Sequence, residues 1–184
     1  MTTAALLLLA QLLTPTTIPS PSPAPGYGPW HLGMSKDEVK AVSEFGPYSA
    51  VASTGGLETR NGLFTDQKTT ISFVFGEQGL RIIQIWAYEG RDLDQAVSAF
   101  YRVYHLLEES RGAVEIPGLS VPAHADNPTF TGIVRRALAA VPPSRAVKVQ
   151  IIPFNRLPEI NIFSSLMKQP QLGYYYVFLY YRAP

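Results

Sequence analysis

The run Tyr174-Tyr175-Tyr176-Val177-Phe178-Leu179-Tyr180-Tyr181 constrains this chain most, because it is apolar or aromatic at both odd and even positions. Strand side chains alternate between the two faces of a sheet, so this segment has large rings to cover on each side. A strand of that kind belongs inside a sheet, or at an edge that another element covers. It presents Tyr174, Tyr176, Phe178 and Tyr180 on one face and Tyr175 and Tyr181 on the other.

A clearer pairing signal lies upstream. Ile71, Phe73 and Phe75 alternate with Ser72 and Val74, Gly76-Glu77-Gln78-Gly79 supplies a turn, and Leu80 to Tyr88 is β-rich again, carrying Trp86 and Tyr88. This is an antiparallel hairpin. Asn61-Gly62 has the composition of a two-residue type I′ turn and is expected to join strands at Leu57–Arg60 and Leu63–Thr65. Gly55-Gly56 reads as a further turn.

Three helices are marked by their ends. Ser35 can cap a short one, with Glu38 closing the capping box and Met34 and Val39 at the staple positions. It should finish near Phe45, with Gly46 as a left-handed cap and Pro47 beyond. Asp92 can cap a second, with Gln95 at the capping-box position and Leu93, Ala96, Val97, Phe100, Tyr104 and Leu107 along one stripe; it runs to about Ser110 and stops at Gly112. Asn127 as cap and Pro128 at the first helical position open a third, which Pro142-Pro143 ends. Strand chemistry returns at Ala146–Phe154, Glu159–Ser164 and Gly173–Tyr181.

The fold class this predicts is α+β, an antiparallel β-sheet packed against two to three helices. A single globular domain over 29–184 follows, with possible tandem halves at 29–90 and 91–184, although the residues show no repeat. Before it, Met1–Leu13 reads as a signal-peptide-like leader or an apolar tail, and 14–28 as an extended Pro/Ser/Thr-rich tether. No later stretch is apolar for long enough to span a membrane, so a periplasmic or secreted protein is expected.

Composition removes several functions. The absence of cysteine excludes disulfides, thiol catalysis and a lipidated N-terminal cysteine. A net charge of +1, with basic residues scattered singly apart from Arg135-Arg136, offers no stripe for a nucleic-acid backbone. His31, His105 and His124 form no local ligand motif, and each reads as a structural or surface histidine. Asp37-Glu38 and Asp92 with Asp94 sit in helix first turns, where the macrodipole explains them; Glu108-Glu109 reads as a solvated helix face. There is no nucleophile elbow and no phosphate-binding glycine pattern, so no catalytic, metal or cofactor residue is expected.

Leu32-Gly33-Met34-Ser35-Lys36-Asp37-Glu38-Val39, the following Phe45-Gly46-Pro47, and the Phe73-Val74-Phe75-Gly76-Glu77-Gln78-Gly79-Leu80-Arg81 hairpin carry a likeness. Over this N-terminal half the chain resembles the SmpA/OmlA (BamE) outer-membrane assembly lipoproteins and the related β-lactamase inhibitor protein-like fold. The resemblance implies helices packed on an antiparallel sheet that serves as a protein-binding surface without chemistry; the chain departs from the lipoproteins in lacking the acylated cysteine. The expected binding surface is the aromatic set Trp86, Tyr88, Tyr174, Tyr176, Phe178 and Tyr180, and the expected partner another envelope or secreted protein. The alternatives are a small apolar-ligand carrier with a cavity between sheet and helices, and an enzyme whose residues converge from distant positions. Packing in the core competes for every one of these rings.

Overall fold

The all-apolar C-terminal run does lie inside a sheet. The computed structural model describes residues 25–142 and 144–184, and the leader, the tether up to residue 24 and Pro143 lie outside them. Along the chain come β1 (Gly26–Tyr27), β2 (Trp30–His31), α1 (Lys36–Ala41), a 3-10 turn (Ser43–Phe45), β3 (Tyr48–Val51), β4 (Gly56–Phe64), β5 (Gln67–Gly76) and β6 (Gly79–Gly90). There follow α2 (Leu93–Arg111), β7 (Val114–Glu115), α3 (Asn127–Ala139), β8 (Val147–Pro153), β9 (Asn161–Gln169) and β10 (Tyr174–Arg182). The main sheet is antiparallel with strand order β3-β4-β5-β6-β10-β9-β8-β7, so two four-strand meanders meet along β6 and β10. β1 and β2 form a small separate pair.

One side of the sheet carries the core. Val39 of α1, Val97, Phe100, Val103 and Leu107 of α2, and Phe130, Val134 and Leu138 of α3 join a single buried cluster with Ile71, Phe73, Ile83, Ile85, Leu166, Val177 and Leu179. All three helices therefore join the core on one side of the sheet, α2 directly against β6 and β8 to β10 and α3 against α2. Burial at about 25 cal/mol per Å² of apolar surface is the main force holding the layers together.

The helix starts follow their capping chemistry. The Ser35 hydroxyl accepts from Glu38 N–H while a Glu38 carboxylate oxygen accepts from Ser35 N–H at 2.7 Å. Asp92 accepts from the N–H groups of Asp94 and Gln95. The α3 cap is Asp126, one residue before the Asn127 expected, and its carboxylate accepts from Thr129 N–H at 2.9 Å.

Several turns depart from expectation. α1 breaks at Val42 and resumes as the 3-10 turn to Phe45, and Gly46 is extended (φ −69°) rather than left-handed. Tyr48 clamps this break by donating its hydroxyl to the Val42 carbonyl at 2.8 Å. Asn61-Gly62 is no turn: β4 runs through it, with a bulge between Thr59 and Gly62. The hairpin instead closes at Thr65-Asp66, both with positive φ (46° and 63°), which is the type I′ requirement met by other residues. Gly26-Tyr27, assigned to the tether, pairs with Trp30-His31. His31 thus sits in a strand, with its side chain exposed.

Gly76 and Gly79 close the β5–β6 hairpin as expected. Gly79 has φ +95°, and an added Cβ would meet the Gly33 carbonyl oxygen at 2.2 Å. The turn is pressed onto the segment ahead of α1, where Gly33 N–H donates to Leu80 O and Leu80 N–H to Met34 O.

Candidate functional site: the open face of the sheet

Alternation along β10 sorts its rings. Tyr175, Val177, Leu179 and Tyr181 join the helix-side cluster, while Tyr174, Tyr176, Phe178 and Tyr180 do not. The latter four form a row down the opposite face, with Tyr174–Tyr176 centroids 6.0 Å apart, Tyr176–Phe178 5.8 Å and Phe178–Tyr180 5.8 Å. Trp86 of β6 stands edge-on to Phe178 at 4.9 Å, and Phe163 of β9 stacks on Tyr180 at 4.7 Å. Six large rings thus meet across three adjacent strands.

Register explains their company. On this face one cross-sheet row reads Glu58, Ser72, Gln84, Tyr180, Phe163; the next reads Trp86, Phe178, Ser165, Gln150; a third reads Glu89, Tyr176, Met167, Lys148. The middle is aromatic and the margins are polar or charged. A large apolar centre inside a polar rim is a pattern that protein interfaces also show.

Individual contacts hold the rings in place. Trp86 Nε1 donates to Ser72 Oγ at 3.0 Å. Arg91 lies over the Tyr174 ring, 5.2 Å from its centroid. Phe178 is the floor of the patch, only 7% exposed beneath its neighbours. Burial pushes the Tyr176 phenol up, and the nearby Glu89 charge adds to it; burial alone raises Tyr180. Both hydroxyls therefore stay protonated at neutral pH and can donate as well as accept.

Tyr88 does not belong to this set. Ala87 is an extra residue between the Val177↔Tyr88 and Phe178↔Trp86 pairs, and this β-bulge turns Tyr88 to the helix side. There its hydroxyl accepts from Asp92 N–H at 3.1 Å, bracing the start of α2. Phe163 and Met167 were not singled out in the sequence. The alternation of β9, with Ile162, Ser164 and Leu166 buried, places both beside the row.

The histidines are not all dispersed. His105 and His124 flank one cleft together with Tyr101, Glu108 and Glu109. His105 Nδ1 lies 3.2 Å from Glu109, and His124 Nδ1 3.3 Å from Glu108. Glu109 is solvated as expected, but the Glu108 side chain is only 9% exposed. Its Oε1 accepts from the Tyr104 hydroxyl at 3.0 Å and from His124 N–H at 2.8 Å. Burial raises the Tyr104 phenol, so it remains the donor. The group is a clasp: it fastens the segment before α3 to α2 and leaves no free lone pair at that oxygen.

Among the described residues no three His, Asp or Glu side chains are placed to hold a metal ion, and no helix is long and apolar enough to cross a membrane. Comparison with protein-family models, with curated proteins and with solved structures yields no match.

Proposed function

We propose that this chain is a non-enzymatic, exported binding module that docks another protein of the envelope or extracellular space on the open face of its sheet. One observation carries the reading: six aromatic side chains gather on the sheet face opposite all three helices, and their ring partners are one another. In a chain with no use for that face, rings of this size belong in the core; here Phe178 is covered by its neighbours while Trp86, Phe163, Tyr174, Tyr176 and Tyr180 are only half-buried, so part of their apolar surface stays in water. Tyr and Trp at the centre of a polar-rimmed patch are the side chains that dominate binding energy at interfaces. The layer between sheet and helices is filled by buried side chains such as Ile85, Val97, Phe100 and Leu179, each 0% exposed, which favours the outer face over an enclosed ligand.

The test is affinity capture from a native envelope fraction, comparing wild type with Trp86→Ala/Tyr176→Arg and with Glu77→Ala in the distant hairpin turn as control. A partner held by wild type and the control but lost by the double variant supports the reading. Identical proteins retained by all three would refute it, and sedimentation of the free chain separates a partner from self-association.

A further inference from the structure

β8 and β9 pair from Val147↔Lys168 to Ile151↔Ser164 and then part company. Beyond that point Ile152 and Pro153 turn to β7 as partners of Glu115 and Val114. Phe163, Ile162 and Asn161 stay with β10, opposite Tyr180, Tyr181 and Arg182. The sheet is forked here. A cavity of about 210 Å³ occupies the fork.

Its lining has a definite chemistry. Arg111, in the last turn of α2, and Arg156, in the β8–β9 connection, both reach it, and among the described residues no Asp or Glu lines it. Arg156 Nη2 lies 3.6 Å from Glu115 Oε1, whereas Arg111 makes no ion pair among the described residues. Two guanidinium groups against one nearby carboxylate leave a single positive charge. The helix dipole accounts for an arginine at the end of α2. The Glu115 carboxylate accounts for Arg156, which leaves the charge of one guanidinium unanswered at the cavity.

The other walls are of two kinds. Ile152, Leu157 and Phe163 supply apolar surface, and the Asn155 and Asn161 amides supply further donors. An apolar cavity of about 150 Å³ is enough to hold a benzene ring. The fork therefore has room for a ring-sized body with one compact charged group.

We propose that the fork between β8 and β9 is a binding site for a small organic monoanion, with Arg111 and Arg156 holding its carboxylate and Ile152, Leu157 and Phe163 enclosing its apolar part. A guanidinium matches a carboxylate with two parallel N–H donors, which fixes orientation as well as charge. A doubly charged phosphate exceeds the local charge, and a neutral analogue leaves the guanidinium groups unanswered.

Calorimetric titration of the full chain with sodium benzoate tests this, run beside benzyl alcohol and inorganic phosphate. Saturable one-site binding of benzoate is expected, about tenfold or more tighter than either companion. Arg111→Gln should weaken it by about tenfold or more, with Arg111→Lys retaining an intermediate affinity. Asn161→Asp, at an exposed position, sets a carboxylate against the ligand's own and should abolish binding without touching the core. Absence of saturable benzoate binding overturns the proposal, as does equal affinity for benzyl alcohol or indifference to both Arg111→Gln and Asn161→Asp.

Discussion

A methyl group on Gly62 would fall 2.4 Å from the Cδ1 and Cγ1 atoms of Ile71, which is itself 0% exposed and cannot move aside. Gly62→Ala is therefore expected to destabilise the fold by about 1–3 kcal/mol through overpacking, read from urea denaturation. A neutral result would mean that β4 does not press on Ile71. The same residue explains a misreading: Asn61-Gly62 has turn composition, yet its glycine serves close packing, a purpose that no local pattern encodes. Tyr27 gives a second residue-level prediction. Its hydroxyl donates to the Leu63 carbonyl at 2.7 Å, and burial, with Tyr181 beside it, pushes its pKa up to about 12. An unfolded tyrosine ionises near pH 10, so the folded state holds the proton more tightly. Its contribution is complete below about pH 10 and is lost as pH rises towards about 12. Denaturation midpoints should fall over that window, and Tyr27→Phe should flatten the fall. An unchanged slope in the variant would refute the assignment.

At the scale of elements, helix starts were legible and bulges were not. Ser35, Glu38 and Asp92 announce their caps because the bonds involved span two or three residues. The choice of Asp126 over Asn127 is beyond such reasoning, since both residues cap well and only the path of the preceding loop decides. Period-2 alternation marked β5 and strand composition marked β6, β8 and β10, whereas Glu159–Ser164 caught only the first part of β9, which runs on to Gln169; assigning faces by alternation also assumes that no strand gains a residue. Ala87 breaks that assumption and moves Tyr88 from the aromatic face to the helix side. Deleting Ala87 removes the extra residue, so pairing should become regular with Tyr88 still opposite Val177 on the helix side, at the cost of straightening β6 under α2 and losing the Ala87 packing. We expect a loss of about 1–3 kcal/mol, whereas Tyr88→Phe, which removes only the acceptor, should lose about 1 kcal/mol. A deletion that leaves the thermal midpoint unchanged would show that the bulge itself contributes nothing.

At the scale of the whole molecule, the sheet order falls into two runs of four strands that meet along β6 and β10. β3 to β6 form one meander and β7 to β10 the other, joined by eight paired positions from Tyr175↔Gly90 to Arg182↔Ile82. The sequence announced β10 as an inner strand through its two apolar faces, but which strand lies beside it depends on pairings across the whole chain. The buried cluster crosses the joint, because α2 packs its Val97 and Phe100 into the same core as Ile85 on one side and Leu166 and Leu179 on the other. Neither meander therefore has a core of its own to fall back on, and the two should unfold together. Trp30, 1% exposed in the first half, reports the core, and Trp86 reports the joint. In single-tryptophan variants, Trp30 emission, Trp86 emission and far-ultraviolet circular dichroism should trace one coincident transition in urea. Leu179→Ala, at a fully buried position of the joint, should lower all three midpoints alike, for a loss of about 2–5 kcal/mol. A variant in which Trp30 keeps its midpoint while the dichroism splits into two steps would show that the first meander stands alone, and that the shared core is contact between independent halves.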